Sequence, residues 1–418
     1  MWKASKRWLQ RAGLIMALSA MTGGAHAQIS LPGGVGGRVG DAVGQLGDRL
    51  GETVGDVTRP VTDTLGTVAQ MAQARLSRLD AFVRGHRASV EVDDTGQPAR
   101  AHEVLLLDPD PAALASAASA GFGVIDQGDL GGLGVAYARL STPADMALAS
   151  ALRRLRHLLP GKEVSADQIH FTSGSLAPGR GEGGAAPQPR GGTVGIIDGG
   201  VTPGARIVAQ AGFASGGPHP NAHAQAIASL LAGAGTARTY VADVYGTDPA
   251  GGNALAIARA LAWMAGQHVP VVSISLVGPA NPLLARAIGA AQSRGMIVTA
   301  AVGNDGAAAP PAFPASYDGV IAVTGVDGHG RVLFEAGHAS HLDYAAPGAD
   351  MTAIGLRGKV ERLRGTSFAA PLVAARIAAL DEGHASRQMV LRRADGEAVG
   401  ASARTGRGIL CGACRKGI

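Results

Sequence analysis

The sequence predicts an α/β protein in which a parallel sheet flanked by helices follows a smaller α+β unit. Strand-like and helix-like segments alternate beyond residue 192, a pattern typical of parallel sheets. Residues 88–171 instead show strand-like and helix-like segments in the order β-α-β-β-α-β. A stretch rich in Gly, Pro, Ser and Ala at residues 172–191 separates the two parts and has the composition of a linker.

The composition agrees with a folded chain of more than one domain. Of the 418 residues, 46% are hydrophobic, which is enough to build buried cores over this length. The net charge of +5 is spread as single arginines, and only 4% of the residues are aromatic. Because no basic run is interleaved with aromatic residues, we expect no nucleic-acid partner.

The first 27 residues have the pattern of an export signal. A basic start is followed by an apolar stretch from Ala12 to Met21, and "AHA" at residues 25–27 would suit cleavage before Gln28. A transmembrane helix is the alternative, but the apolar stretch is shorter than the roughly 20 residues that span a bilayer. We therefore expect a secreted or periplasmic protein with no stable membrane span.

Residues 28–87 carry valines and leucines at spacings of four, four and three, which would form one stripe on a helix. Eight glycines between residues 36 and 66, together with Pro60, argue against that helix. Each glycine costs about 1 kcal/mol relative to alanine. We expect a flexible, weakly amphipathic segment that could order on a surface or a partner, and a simple spacer remains an alternative.

Residues 88–171 predict a β-α-β-β-α-β unit. The predicted strands are 102–108, 122–126, 133–140 and 168–171, and the predicted helices are 110–120 and 143–159. This is the order of a small ferredoxin-like unit. No catalytic group stands out in it.

Polar residues recur at the predicted strand ends of the larger unit. Asp198, Ser275 and Asn304 each close an apolar strand, and His223 begins a predicted helix at residues 223–233. In parallel sheets functional groups collect beyond the carboxyl ends of the strands. Taken singly, Asp198 and Asn304 could belong to turns and His223 could meet a helix dipole. Their combination is what points to a site.

The stretch "RGTSFAAPLVAA" at residues 364–375 begins a helix in an unusual way. Pro371 falls at or just past the first turn, where it removes a backbone hydrogen bond and bends the chain. Ser367 lies at the mouth of this distorted helix.

Four segments together resemble, in order and spacing, the signature blocks of subtilisin-like serine proteases (the peptidase S8 family). They are "VGIIDGGV", "HAQAIASLLAG", "AAVGND" and "RGTSFAAP". The resemblance covers nearly all of residues 192–412 and implies a subtilisin-like catalytic domain there, followed by a tail at 413–418.

The resemblance implies a catalytic role for four residues. Ser367 would be the nucleophile, His223 its general base and Asp198 the residue that orients the imidazole. Asn304 would donate to the oxyanion together with the backbone N–H of Ser367. His219 is a competing base, but it lies between two prolines, whereas apolar residues follow His223 at helical spacing.

The resemblance also implies a substrate pocket, lined by Ser275, Leu276, Val277, Gly278, Ala301, Gly303 and Ala312. Val277 and Ala312 stand where glycines are usual in the family, and no acidic residue is seen in these segments. We therefore expect cleavage after small or medium apolar residues. The loop 232–238 has no carboxylate or amide, so we expect no calcium site there, and no cofactor or other metal.

The sequence thus predicts an exported serine endopeptidase made as a zymogen, acting on protein or peptide substrates. The ferredoxin-like unit resembles the pro-domain of these proteases, and "IHFTSG" followed by the linker would suit a tail lying in the active-site cleft. A permanently attached accessory domain is the alternative for this unit. A catalytically silent scaffold that binds peptides or partner proteins is the alternative for the whole chain.

The two cysteines, Cys411 and Cys414, form a "CGAC" motif near the C-terminus. In an exported chain a disulfide is the first expectation, whereas the same spacing in the cytosol would indicate metal or redox work.

Overall fold

The computed structural model describes residues 59–179, 191–381 and 386–417. The predicted export signal, the first part of segment 28–87 and most of the predicted linker lie outside these residues. From Leu65 onward the described residues form one compact unit.

The first described element is a long helix, α1 (Arg59–Gly85), where the sequence analysis expected a flexible segment. Pro60 is its second residue, a position at which a missing N–H costs nothing. Gly66 and the terminal Gly85 are its only glycines. The residues between them are mostly good helix formers, such as Ala, Gln, Leu and Arg, so this part of the segment favours a helix.

The α+β unit is an antiparallel sheet covered by two helices. Its elements are β1 (Val90–Val92), β2 (Pro98–Leu107), α2 (Pro111–Ser119), β3 (Gly123–Asp129), β4 (Ala136–Ser141), α3 (Leu148–Leu158) and β5 (Val164–Gln168). The strand order β5-β2-β4-β3 is the ferredoxin-like arrangement. Asp110 caps α2 by accepting from the Ala113 N–H at 2.7 Å, and Pro111 opens the helix.

The last strand of this unit begins earlier than the sequence predicted. β5 covers Val164–Gln168, whereas the prediction was 168–171. Every residue of β5 is buried, including Ser165, Asp167 and Gln168. Because these polar residues interrupt the apolar pattern, periodicity does not reveal the strand.

The larger unit is built on seven parallel strands: β8 (Gly191–Asp198), β9 (Ile207–Gly212), β10 (Thr236–Asp243), β11 (Val271–Ile274), β13 (Ile297–Ala301), β14 (Ile321–Val326) and β15 (Tyr344–Pro347). Across the sheet they lie in the order β15-β14-β13-β11-β8-β10-β9. β8 lies inside the sheet between β10 and β11, and its residues Val194–Asp198 are all buried. Such a buried apolar run is typical of a parallel sheet covered on both faces.

Helices cover both faces of this sheet. They are α4 (Ala222–Gly233), α5 (Ala254–Gly266), α6 (Pro282–Ser293), α7 (Thr366–Leu380) and α8 (Arg387–Glu397). α5 and α6 share one buried apolar cluster with Leu105, Leu107 and Tyr137 of the ferredoxin-like unit, so the two units pack through a continuous core. α4, α7 and α8 contribute to the cluster on the opposite face.

A disulfide joins Cys411, which directly precedes a short 3₁₀ segment (Gly412–Gly417), to Cys414 within that segment. Among the described helices, none has both the length and the apolar character needed to cross a membrane.

Candidate active site

The site lies at the carboxyl edge of the parallel sheet. β8 ends on Asp198, Ser275 follows β11, and Asn304 follows β13 after a short turn. Because neighbouring parallel strands end at the same edge, the three polar residues meet there. The sequence-predicted residues therefore come together through strand order and not through closeness in the chain.

Asp198 and His223 form a buried pair. Asn221 caps α4 by accepting from the Ala224 N–H at 2.8 Å, and this fixes His223 in the first turn of the helix. The His223 Nδ1 lies 2.9 Å from the Asp198 Oδ2, and the Asp198 Oδ1 accepts from the Gly199 N–H at 2.8 Å. A carboxylate that accepts from Nδ1 leaves Nε2 as the basic nitrogen of the ring. That Nε2 is buried and has no hydrogen-bond partner among the described residues.

Ser367 is the second residue of α7, and Pro371 inside the helix shapes its surroundings. Pro371 has no N–H, so the carbonyl of Ser367, four residues earlier, lacks its helical donor. The Ser275 hydroxyl fills that role by donating to the Ser367 carbonyl at 2.8 Å. In return the Ser367 hydroxyl donates to the Ser275 carbonyl at 3.2 Å. The proline and Ser275 thus tie the start of α7 to the end of β11.

Asn304 faces the same helix start. Its Oδ1 accepts from the Thr366 N–H at 3.0 Å, while its Nδ2 is buried without a partner in the described part of the chain. Gly365 has φ of +143°, and a Cβ there would lie 2.7 Å from the Asn304 Nδ2. Glycine at 365 therefore keeps open the space into which the amide donors point.

The chain itself crosses this site. β6 (Phe171–Thr172) pairs antiparallel with β12 (Leu276–Val277), and β7 (Ser175–Pro178) pairs antiparallel with β17 (Val360–Arg364). These two short strands occupy the start of the segment predicted as a linker. They form because two strand edges beside the site pair with them, a signal that composition does not carry.

Ser173 lies at the centre of this crossing segment. Its hydroxyl is 2.7 Å from the Ser367 hydroxyl, and its carbonyl oxygen is 3.4 Å from the position that a Cβ on Gly365 would occupy. The Asn304 Nδ2 borders the same position. The Ser173 hydroxyl thus contacts the Ser367 hydroxyl, while its carbonyl oxygen and the Asn304 amide border the same space. Ser173 belongs to "IHFTSG", the stretch expected from its resemblance to a pro-domain tail to lie in the cleft, although Ser173 itself was not named as a site residue.

The cleft lined by Ser173 and Asn304 has a volume of about 430 Å³. Four of the predicted substrate residues line it: Val277, Gly278, Gly303 and Ala312. The Val277 methyl groups lie 3.4 and 3.5 Å from the position of a Cβ on Gly303, so the two residues form facing walls.

The other three predicted pocket residues do not form its walls. Ser275 supports Ser367 as described above, and Leu276 is fully buried and pairs through its backbone with Thr172. Ala301 is a fully buried residue of β13 and packs in the apolar cluster with α4 and α7.

His219, the competing base, lies apart from this arrangement. It is exposed, and its backbone N–H donates to the Asp243 Oδ2 at 2.6 Å. The buried pair with Asp198 involves His223 alone among these two histidines. In the described ranges no group of three His, Cys, Asp or Glu side chains is arranged to hold a metal ion.

Asp305, directly after Asn304, is a cleft residue that the sequence analysis missed. It lines the cleft and makes ion pairs with Arg75 and Arg78 of α1. It falls within the quoted block "AAVGND", which is the only signal in the sequence that could have drawn attention to it.

Comparisons with known proteins agree with this geometry. A family model described as "Subtilase family" matches residues 191–401. Subtilisin BL of Lederbergia lenta is 30% identical over 197 residues, which cover 43% of this chain and 72% of the relative. Thermitase of Thermoactinomyces vulgaris is 36% identical over 120 residues, 28% of this chain and 43% of the relative.

The crystal structure of fervidolysin from Fervidobacterium pennivorans, a keratinolytic enzyme related to subtilisin, shares the fold. The TM-score is 0.62 at 15% identity, and the match covers 77% of this chain and 61% of that one. With the parallel sheet, the ordered blocks and the family match in agreement, the chain belongs to the subtilase family, which is a family of serine endopeptidases.

Proposed function

We propose that this protein is an exported serine endopeptidase that is made as a zymogen and works through an acyl-enzyme. One observation carries the proposal: a buried Asp198–His223 pair faces the helix start that bears Ser367, with a peptide segment of the same chain lying across that serine.

In the first half-reaction Ser367 Oγ attacks the carbonyl carbon of the substrate, and His223 Nε2 takes the hydroxyl proton. Asp198 holds the ring in the required tautomer and stabilises the imidazolium. The carbonyl electrons move onto its oxygen, where the Asn304 Nδ2 donates a hydrogen bond. The ring then gives its proton to the leaving amine as the C–N bond breaks, and Ser367 is left as an ester.

In the second half-reaction a water molecule attacks the ester carbonyl, and His223 accepts its proton and returns it to Ser367 Oγ. The resting serine is not yet engaged with the base, because its hydroxyl is bound by Ser173 and the Ser275 carbonyl. The ring of His223 lies beside Phe368, the next residue of α7, with 5.4 Å between ring centroids. The mechanism therefore requires the Ser367 side chain to rotate, so that its hydroxyl leaves Ser173 and the Ser275 carbonyl and reaches the His223 Nε2.

The zymogen proposal rests on the crossing segment. β6 and β7 occupy both sides of Ser367, so an external peptide cannot enter the same strand edges. We propose that the ferredoxin-like unit is a pro-domain that positions this segment, and that the enzyme cleaves its own chain at the Ser173–Gly174 bond. Ser173 as the residue before the cleaved bond is small, in line with the expected preference, but it is polar, whereas apolar residues were expected from the sequence.

Export is supported by the signal pattern at residues 1–27 and by the Cys411–Cys414 disulfide. Disulfides persist mainly in oxidising compartments outside the cytosol. We propose a secreted or periplasmic location.

A fluorophosphonate probe tests the assignment of Ser367. The matured wild-type protein should be labelled, and Ser367→Ala should not be. Ser293→Ala is the matched control, because it removes a serine hydroxyl that stays in the matured chain and donates to the Gly289 carbonyl of its own helix, α6. Its labelling should persist after maturation. An unlabelled matured wild type would instead favour the peptide-binding scaffold.

A further inference from the structure

Helix α1 lies over the substrate cleft, and neither the catalytic mechanism nor the crossing segment explains it. Its partly buried residues Met71, Arg75, Leu79 and Phe82 follow at spacings of four, four and three, which places them on one face. Arg75, Leu79 and the neighbouring Arg78 line the cleft.

One end of this face is anchored beside the catalytic asparagine. The Arg75 Nε lies 3.3 Å from the Asp305 Oδ2, and the Arg78 Nη2 lies 2.5 Å from the Asp305 Oδ1. The side chains of Arg75 and Asp305 are only 20% and 26% exposed, so this pair is better shielded than a typical surface ion pair. Met71 lies against Gly306, where an added Cβ would be 3.0 Å from its Cε.

The other end holds the crossing segment. The Phe82 ring meets the Phe171 ring edge to face with centroids 5.0 Å apart, a favourable aromatic geometry. Phe171 is the β6 residue that pairs with Val277, two positions before Ser173. From Met71 to Phe82 the helix rises about 16 Å. It therefore reaches from the Asp305 rim of the cleft to the segment that fills it.

The geometry points to α1 as a strap, a second inhibitory element that binds the cleft rim through Asp305 and holds β6 in place after the chain is cut. This inference rests on the proposed function. Cleavage at Ser173–Gly174 breaks no contact of α1, because its contacts with Asp305, Gly306 and Phe171 all lie away from that bond. Cutting the chain and opening the cleft are then separate steps, and the ion pairs of Asp305 set the interval between them.

The surface that binds α1 is specific in its chemistry. On the cleft side, Asp305 pairs with Arg75 and Arg78 of α1. Gly306 contacts Met71, and the Phe171 ring contacts the Phe82 ring. The fitting occupant is therefore an amphipathic basic helix, and α1 of the same chain supplies it. Because half-exposed ion pairs weaken as salt rises, the interval should also shorten at high ionic strength.

The test measures the delay between half-complete chain cleavage, followed on a gel, and half-maximal peptide hydrolysis in the full chain. In the Arg75→Gln/Arg78→Gln variant the delay should fall roughly threefold to tenfold, the range expected for losing one partly shielded and one more exposed ion pair. Arg84→Gln is the matched control, because Arg84 lies on the same helix and pairs with Asp80 of that helix. A delay in the double variant equal to that of Arg84→Gln would overturn the strap.

Asp305→Asn supplies an independent arm. It should shorten the delay, and combining it with the double arginine variant should shorten it no further, since both changes break the same pairs. Additive effects would contradict a role through Asp305. If no variant and no wild-type protein gains hydrolytic activity after cleavage, the proposed peptidase function fails, whereas normal activity without any delay refutes only the strap.

Discussion

Val277 narrows the cleft. Its methyl groups lie against Gly303, and the resemblance to the family implies that glycine is usual at its position. Removing its side chain should widen the pocket and admit large rings. We expect Val277→Gly to raise kcat/KM for peptides with Phe before the cleaved bond, relative to Ala, by at least about tenfold. A peptide-library digest measures the ratio. A ratio unchanged by Val277→Gly, or a wild type that prefers Arg, Lys or large aromatics, would contradict this pocket.

At the scale of residues, sequence patterns locate the candidate polar site residues, but they do not separate the residues that line the cleft from residues of the core. The convergence of Asp198, His223, Asn304 and Ser367 at one edge of the sheet could be predicted because each occupies a strand end or helix start inside a quoted block; their catalytic roles stay predictions. Ala301 could not be separated from the true walls, since both apolar wall residues and apolar core residues look alike in a sequence. The family resemblance anticipated that "IHFTSG" lies in the cleft, but the contact of Ser173 with Ser367 depends on the packing of distant segments, which no local pattern encodes.

At the scale of elements, α1 shows why averaging over a segment misleads. Seven of the eight glycines that argued against a helix precede Arg59, and only Gly66 falls inside α1. Most of the valine and leucine stripe lies outside the described residues, and the α1 residues that pack on the cleft include arginine and methionine. Good helix formers within Arg59–Gly85 and the tertiary packing of one face together favour α1, whereas the glycines that argued against it lie mostly before its start.

β5 and α5 meet through a buried carboxylate, Asp167, which is 1% exposed. Its Oδ1 accepts from the Leu255 N–H in the first turn of α5 at 2.9 Å. Burial raises the pKa of Asp167 to about 7, although this hydrogen bond and the nearby Arg100 act to lower it. Because the pKa in the folded protein exceeds that of an unfolded aspartate, the folded state loses stability as pH rises from about 4 to about 7.

Asp167→Asn should remove the loss of stability at rising pH, because an asparagine side chain does not ionise, while its amide oxygen can still accept from the Leu255 N–H. In the Ser367→Ala background, which prevents self-cleavage, we expect the free energy of unfolding of the variant to rise relative to its parent by about 2 kcal/mol between pH 5 and pH 7. Burial also lowers the pKa of nearby His170 to about 4, which gives the opposite trend in both proteins. Subtracting the free energy of unfolding of the parent from that of the variant removes the contribution of His170, which is the same in both proteins. A difference that does not change with pH, in paired thermal unfolding measurements, would contradict the role of Asp167.

At the scale of the whole molecule, the two units share one core, and the chain passes from one to the other through the active site. The parallel sheet and the ferredoxin-like order could be predicted from alternation alone. Their packing could not, because Leu105, Leu107 and the α5 helix contact one another only after both units fold.

The most direct test of the central claim is the intact mass of the exported protein and of its Ser367→Ala variant after purification and incubation. The account predicts that the wild type yields a fragment beginning at Gly174, while Ser367→Ala stays joined through Ser173 and Gly174. A wild type that is active without any cut near this bond, or a Ser367→Ala protein cut there as fast as the wild type, would contradict self-processing by Ser367.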